Sequence, residues 1–161
     1  MTDDDFMQAV NRNNQRLFLI ALSFTKSTYD AEDILQNVFV KLLKHPKSFS
    51  DNEHLDKWLT TVCVNESKNY IKLPFRYHKN LDDCDFVSGV NFDSTTQIDL
   101  YNAVMRLSKK ERTVIHLFYY ENLSIKDIAE MLKIKESAVK TRLSRARVNL
   151  KEQLGDEWID E

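Results

Sequence analysis

Apolar side chains recur at three- and four-residue steps through residues 6–72, the spacing of buried helix faces. Residues 29–44 give the clearest case. Placed at about 100° per residue, Ile34, Leu35, Val38, Phe39, Leu42 and Leu43 form one face, and Asp30, Asp33, Gln36, Asn37, Val40, Lys41 and Lys44 the other. The acids of Asp30-Ala31-Glu32-Asp33 open this helix where the macrodipole favours negative charge. His45-Pro46 stops it, because proline disfavours helix at the preceding residue and has no amide to donate. A loop over residues 47–53 follows. The next predicted helix, about residues 54–72, sets Leu55, Trp58, Leu59, Val62, Asn65, Glu66 and Asn69 at helical steps, so a face that begins apolar ends bearing amides.

Periodicity is lost after Leu73-Pro74, through Asp82-Asp83-Cys84-Asp85, Ser88-Gly89 and Asp93-Ser94-Thr95-Thr96. A structureless stretch of about 25 residues is uncommon inside one compact domain. Residues 74–98 therefore read as a flexible acidic linker between a domain at 1–73 and another at 99–161. Helical patterning resumes at residues 97–107, 108–122, 124–132 and 135–154. Ser108 and Glu111 have the spacing of a capping box, and Ser124 with Asp127 is a weaker relative. Only Lys133 and Ile134 separate the last two segments, the length of connection a helix-turn-helix uses. The expected fold class is all-α: two small helical domains joined by an acidic linker, the C-terminal one a helix-turn-helix.

In the last predicted helix Val139, Leu143, Ala146 and Leu150 fall within a stripe of about 60° that would bury the helix. Ser137, Lys140, Thr141, Ser144, Arg147 and Lys151 lie on the far side, with Arg145 flanking them and Arg142 nearer the stripe. Hydroxyls interleaved with Lys and Arg suit a DNA major groove, where they reach base edges while the remaining cations neutralise phosphates. Ala129 in the preceding helix is small where the two helices of such a motif approach.

Composition sharpens this picture. Only 2 Gly and 2 Pro among 161 residues argue against sandwiches, barrels and Rossmann-type units, which need those residues at turns and phosphate loops. The net charge of −2 speaks against nucleic acid until its distribution is read: residues 133–151 hold 7 basic residues and a single acid, Glu136. The longest strongly apolar run, residues 17–24, is far below the ~20 residues that span a bilayer, so no membrane insertion is expected. Cys63 and Cys84 form no CxxC pair and no secretory signal precedes them, which reads as reduced thiols in a cytoplasmic protein.

No Gly-rich phosphate loop, GxSxG or HExxH occurs, so the chain is not expected to be an enzyme. Asp33 and Asn37 are one turn apart, but no His, Cys or second close carboxylate completes a metal set, and neither metal nor cofactor is expected. His45 and His54 read as surface histidines. Residues 49–70 carry Phe49, Trp58, Asn65, Lys68, Asn69 and Tyr70, a mixture suited to single-strand capture: aromatics stack on unpaired bases, amides read base edges, and lysine binds phosphate. Trp58, next to Leu59 and Val62, reads as core; Asn65 and Asn69 are harder to explain that way.

These segments, residues 30–39, Trp58-Leu59, Val64-Asn65, Asn69-Tyr70, residues 123–129 and residues 139–147, together resemble the extracytoplasmic-function sigma factors, the small group of the bacterial primary sigma family. The resemblance covers nearly all the chain in the right order. It implies a cytoplasmic subunit of RNA polymerase holoenzyme. The N-terminal domain would bind the clamp helices of the beta-prime subunit and melt the minus-ten element, and the C-terminal domain would meet the beta flap and read the minus-thirty-five element. It implies polymerase contacts at Asp30, Asp33, Gln36, Asn37 and Val40. Minus-ten contacts are implied at Phe49, Asn52, Asn65, Lys68 and Asn69, with the 49–53 loop part of a pocket for a flipped base. Minus-thirty-five contacts are implied at Ser137, Lys140, Thr141, Ser144 and Arg145, with Arg142 and Arg147 nearer phosphates. An anti-sigma factor is a further implied partner. Asn37 departs from the acid usual in the family, as do Thr60-Thr61 and Ser144 from larger or more basic residues, and the glycine common near Ser137-Ala138 is absent.

Two other readings predict different behaviour. A stand-alone dimeric helix-turn-helix regulator would bind a palindromic duplex site without polymerase. A pure protein-interaction module would make no DNA contact, and changing Lys140 or Arg145 would be silent.

Overall fold

The computed structural model describes residues 1–45, 48–73 and 95–155. Among these every regular element is helical, and the chain divides into two compact units, Met1–Asn80 and Leu81–Glu161.

The N-terminal unit is three mutually packed helices: α1 (Asp3–Thr25), α2 (Thr28–Leu43) and α3 (Asn52–Tyr70). Thr2 and Asp5 close a reciprocal capping box at the start of α1, with bonds of 3.0 and 3.3 Å, and Asp3, Asp4 and Asp5 place three acids in its first turn. Lys26, left-handed at φ 53°, ends α1, and the Ser27 hydroxyl caps α2 within one residue. The core takes Leu17, Ile20, Ala21 and Phe24 from α1, Ile34, Val38 and Leu42 from α2, and Leu55, Leu59, Cys63 and Val64 from α3. Each such leucine or isoleucine contributes on the order of 2 kcal/mol on burial.

Three expectations are corrected here. Asp30, placed by periodicity on the solvent face of α2, is fully buried, while Leu43, placed on the core face, is 62% exposed. Both lie near helix ends, where the surroundings are set by what other elements bring: the end of α3 reaches Asp30 through Tyr70, while Leu43 is left uncovered. The loop after α2 is shorter than expected: Asp51 caps α3, its carboxylate accepting the His54 amide at 2.7 Å, so Asn52 and Glu53 belong to the first helical turn. Pro46 lies outside the described residues; α2 ends before it, at Leu43.

A polar network joins α1 to α3. Arg12 grips Asp56 with Nε and Nη2, buried Asn13 donates to the same carboxylate at 2.9 Å, and Arg16 donates to the Thr60 hydroxyl and the Asp56 carbonyl. Burial pushes the Asp56 carboxyl up, but its bonds to Arg12 and Asn13 outweigh this and hold it below the ordinary carboxylate range.

The C-terminal unit contains α4 (Thr95–Met105), α5 (Lys109–Ile115), a π-helical turn (His116–Tyr120), α6 (Ile125–Leu132) and α7 (Glu136–Leu154). Helix α4 starts within the segment read as linker; the rest of that segment, residues 74–94, and Cys84 with it, lies outside the described residues. The helix expected over 108–122 is interrupted by the π turn, closed by the Glu121 amide on the His116 carbonyl. The wider turn changes which side chains face inward, so His116 and Leu117 are both buried and Phe118, Tyr119 and Tyr120 half-buried. Ser108 caps α5, but Glu111 answers with its carboxylate on the Ser108 hydroxyl at 2.9 Å rather than on the backbone amide, so the box is only half formed. Ser124 caps α6 by accepting the Asp127 amide at 3.0 Å. Lys133, left-handed at φ 58°, ends α6, and Lys135 begins the approach to α7 with no side-chain cap. Ala129 is buried in this helix pair.

Candidate nucleic-acid interface

In the C-terminal unit the spacing of α7 translates directly into geometry. Val139, Leu143, Ala146 and Leu150 are all buried. With that stripe inward, Ser137, Lys140, Thr141, Ser144 and Arg145 stand exposed on the opposite side and Arg142 is half-buried. Thr141 donates its hydroxyl to the Ser137 carbonyl at 3.0 Å, leaving its oxygen as an acceptor toward solvent. A groove of about 350 Å³ between the start of α5 and this face is lined by Ser108, Lys110, Ser137, Thr141, Arg142 and Arg145 together with Glu111. Glu111 is engaged by the Ser108 hydroxyl and by Asn149, so the groove presents chiefly cations and hydroxyls.

Arg147 departs from its expected place on the outer face. It is half-buried, donates Nε to the Tyr119 hydroxyl at 2.8 Å, and lies 5.8 and 5.6 Å from the Phe118 and Tyr119 ring centroids. At 80° from Val139 it borders the buried stripe, where aromatic rings of the π turn reach it. The cation thus docks α7 on the π turn, an attraction of roughly 0.5–1 kcal/mol for the ring contact.

In the N-terminal unit, α2 presents Asp33, Gln36, Asn37 and Val40 exposed along one surface, with Val40 at 44%. Asp30 does not join them: it is turned inward and meets the Tyr70 hydroxyl of α3 at 3.1 Å, and the same hydroxyl reaches Asp33 Oδ2 at 2.9 Å. Farther along, Lys41 pairs with Glu66 at 2.6 Å. On α3, Asn65 and Asn69 are exposed and Lys68 half-buried.

Phe49 is half-buried in an aromatic cluster. Its ring stacks on His45 at 4.8 Å and lies 5.2 Å from His54 and 5.4 Å from Trp58, itself 4.8 Å from His45. His54 is exposed, as expected, and His45 half-buried; both flank the Phe49 ring, and Trp58 beside them is half-buried. A cleft of about 370 Å³ opens beside it, lined among others by Asp5, Arg12, His45, Phe49, Asp51 and Asn52. Its charged lining is Arg12, which also pairs with Asp56, and the carboxylates of Asp5 and Asp51, with the Phe49 and His45 rings as its aromatic wall.

Sequence reasoning overlooked Tyr70 as a partner of α2, Glu66 as the mate of Lys41 and Tyr119 as the anchor of Arg147. Each pairs residues 25 or more positions apart, and periodicity along one helix carries no information about the neighbouring helix. The only available sign was chemical: a phenol and an acid among the amides of α3.

Two family models match the chain: Sigma-70 region 2 over residues 9–73 and Sigma-70, region 4 over residues 97–150. RNA polymerase sigma factor SigV of Bacillus subtilis is 27% identical over 149 residues, covering 92% of this chain and 90% of that protein. ECF RNA polymerase sigma factor SigW of the same organism is 28% identical, covering 95% and 90%, and ECF RNA polymerase sigma factor SigM of Mycobacterium tuberculosis is 28% identical, covering 93% and 77%. The solved structure of the sigma factor RpoE from Bartonella quintana, in complex with the anti-sigma factor NepR, shares the fold at a TM-score of 0.70 and 24% identity, covering 96% of this chain and 99% of that one. CnrH, in complex with the cytosolic domain of CnrY, shares it at 0.61 and 23%, covering 98% and 92%. With regions 2 and 4 matched in order along one chain, and curated relatives that are extracytoplasmic-function sigma factors across nearly its full length, the protein belongs to the extracytoplasmic-function group of the sigma-70 family.

Proposed function

We propose a division of labour between the two units of this sigma factor, which binds core RNA polymerase and directs promoter-specific transcription initiation. Residues 1–73 act as the region 2 domain. Asp33, Gln36, Asn37 and Val40 meet the beta-prime clamp helices, while Phe49, Asn52, Asn65, Lys68 and Asn69 receive unpaired minus-ten bases. Residues 99–161 act as the region 4 domain, which meets the beta flap and lays α7 in the major groove of the minus-thirty-five element. There Ser137, Lys140, Thr141, Ser144 and Arg145 face base edges and Arg142 the phosphates. Arg147 positions the helix instead of reading it. Residues 74–98 act as the acidic connection, α4 taking its last residues.

The observation that carries this reading is the two-faced α7, a fully buried four-residue stripe backing an exposed row of hydroxyls and cations after a three-residue turn. The acids elsewhere in the chain keep the free protein from binding duplex DNA strongly, since phosphate contacts supply most non-specific affinity. The chain acts as a specificity subunit and not as an enzyme, and it works in the cytoplasm, where the polymerase is; no helix of the described residues is long and apolar enough to cross a membrane. An anti-sigma factor is an expected inhibitor, as the two solved neighbours are each held by a partner, NepR and CnrY.

The affinity of labelled protein for core polymerase without DNA tests this first. Tight one-to-one binding that is lost in Asp33→Arg supports the reading. A protein that instead dimerises and holds duplex DNA without polymerase would be a stand-alone regulator. Arg145→Ala should then cost about 1–3 kcal/mol on the preferred minus-thirty-five sequence; an equal loss on every sequence would move Arg145 to the phosphates.

A further inference from the structure

Two links cross from α2 to α3 beside the proposed polymerase surface. Tyr70, at the end of α3, places its hydroxyl 3.1 Å from Asp30 Oδ1 and 2.9 Å from Asp33 Oδ2, and Glu66, one turn earlier, meets Lys41 at 2.6 Å. Between the links α2 exposes Gln36, Asn37 and Val40.

The three oxygens of the first link are not equivalent. Asp30 is fully buried in the first turn of α2, and its Oδ1 shares the single Tyr70 hydroxyl proton with Asp33 Oδ2 in a three-centre bond. Asp33, three residues on along the same face, is exposed. Its Oδ2 accepts from Tyr70, while its Oδ1 meets no donor among the described residues. The Tyr70 phenol is pushed well above its ordinary range, by burial first and by the two carboxylates next, so it stays protonated and remains a donor throughout the physiological range.

We propose that Tyr70 is a positioning residue for polymerase binding: its hydroxyl, shared between buried Asp30 and Asp33, fixes the rotamer of Asp33 and presents the second carboxylate oxygen to a cationic or N–H donor of the polymerase. This rests on the reading that Asp33 lies in that interface. An exposed aspartate without such a strut samples several rotamers and loses that freedom when it binds; Asp33 has already lost it in the free protein.

Tyr70→Phe removes one oxygen and keeps the ring and its packing. Affinity for core polymerase, measured without DNA, should fall about three- to tenfold, while in an Asp33→Ala background the same change should have no further effect. A purely structural role for Tyr70 would not produce that non-additivity. The proposal is overturned if Tyr70→Phe binds as tightly as the unaltered protein, or if it loses the same factor in both backgrounds. A measurement on the unaltered protein stands beside this in case the variant folds poorly: the Asp33 α–β proton couplings should report a single χ1 rotamer, and averaged couplings would refute the strut. If the unaltered protein fails to bind core polymerase at all, the reading beneath the proposal falls, an outcome distinct from an affinity that Tyr70→Phe leaves unchanged.

Discussion

Polar side chains join the helices of the N-terminal unit, through Arg12, Asn13 and Arg16 on Asp56 and Thr60, Tyr70 on Asp30 and Asp33, and Lys41 on Glu66. The C-terminal unit seats its longest helix on a continuous apolar stripe with fewer polar links, Arg147 on Tyr119 and Asn149 on Glu111, and buries His116 against Tyr120, with neither ring nitrogen bonded among the described residues. The difference follows the surfaces each unit offers. In the N-terminal unit the proposed contact residues sit on two helices at once, α2 and α3, which Tyr70 and the Lys41–Glu66 pair join. In the C-terminal unit the proposed reading face lies on one helix, seated by its buried stripe and by Arg147 on Tyr119.

This contrast can be broken in several ways, beginning with the apolar stripe. Leu143→Ala should destabilise the C-terminal unit by about 2–5 kcal/mol, read as loss of amide protection in α7 while amides of α3 keep theirs. Equal loss in both units would show that they do not unfold separately. In the N-terminal unit Asp56→Ala strands Arg12, Arg16 and Asn13, and because Asp56 is about one-third exposed the cost should be smaller, about 2 kcal/mol. Its carboxyl is held below the ordinary 3.8. The network's contribution is therefore present above that value and lost as pH falls through the lowered one. An unchanged acid midpoint in Asp56→Asn would refute this.

His116 gives the opposite unit its own pH signature. Burial lowers its pKa from 6.5 to about 3, so the unfolded chain takes up a proton that the folded one refuses. Stability from this source is complete above pH 6.5 and falls on acidification, by about 1.4 kcal/mol for each pH unit below that value. Amide exchange at Leu117 should accelerate between pH 7.5 and 5.5 beyond its intrinsic pH dependence, and His116→Phe, which keeps a ring against Tyr120, should abolish the effect. The smallest change is a gain. Lys133 holds a left-handed φ of 58°, a conformation glycine adopts without a Cβ penalty, so Lys133→Gly should raise stability by about 0.5–1 kcal/mol. A lower melting temperature would mean that the lysine side chain holds the turn by other means.

The helices themselves were legible wherever one face repeats over several turns, as in α2 and above all α7, whose four buried positions are the four the spacing names. Legibility failed at ends and interruptions. Asp30 and Leu43 exchange their expected environments because a helix terminus is surrounded by what other elements bring to it. The π turn escaped notice because its five residues, His116 to Tyr120, satisfy a helical pattern locally. The candidate surfaces follow the same division: the exposed row on α7 could be read from one helix, whereas the Phe49 cluster needs His45, just after α2, to meet His54 and Trp58 of α3.

The sequence by itself determined the helical class, the break between two domains, the buried and exposed sides of α7, and the order of motifs that identifies the family, because these depend on periodicity and on local chain chemistry. Only the tertiary structure decided that Asp30 turns inward to meet Tyr70, that Arg147 docks on Tyr119, and that two histidines flank Phe49. Such pairings depend on which helices meet and at what register, and that is settled by the burial of apolar faces summed over a whole unit.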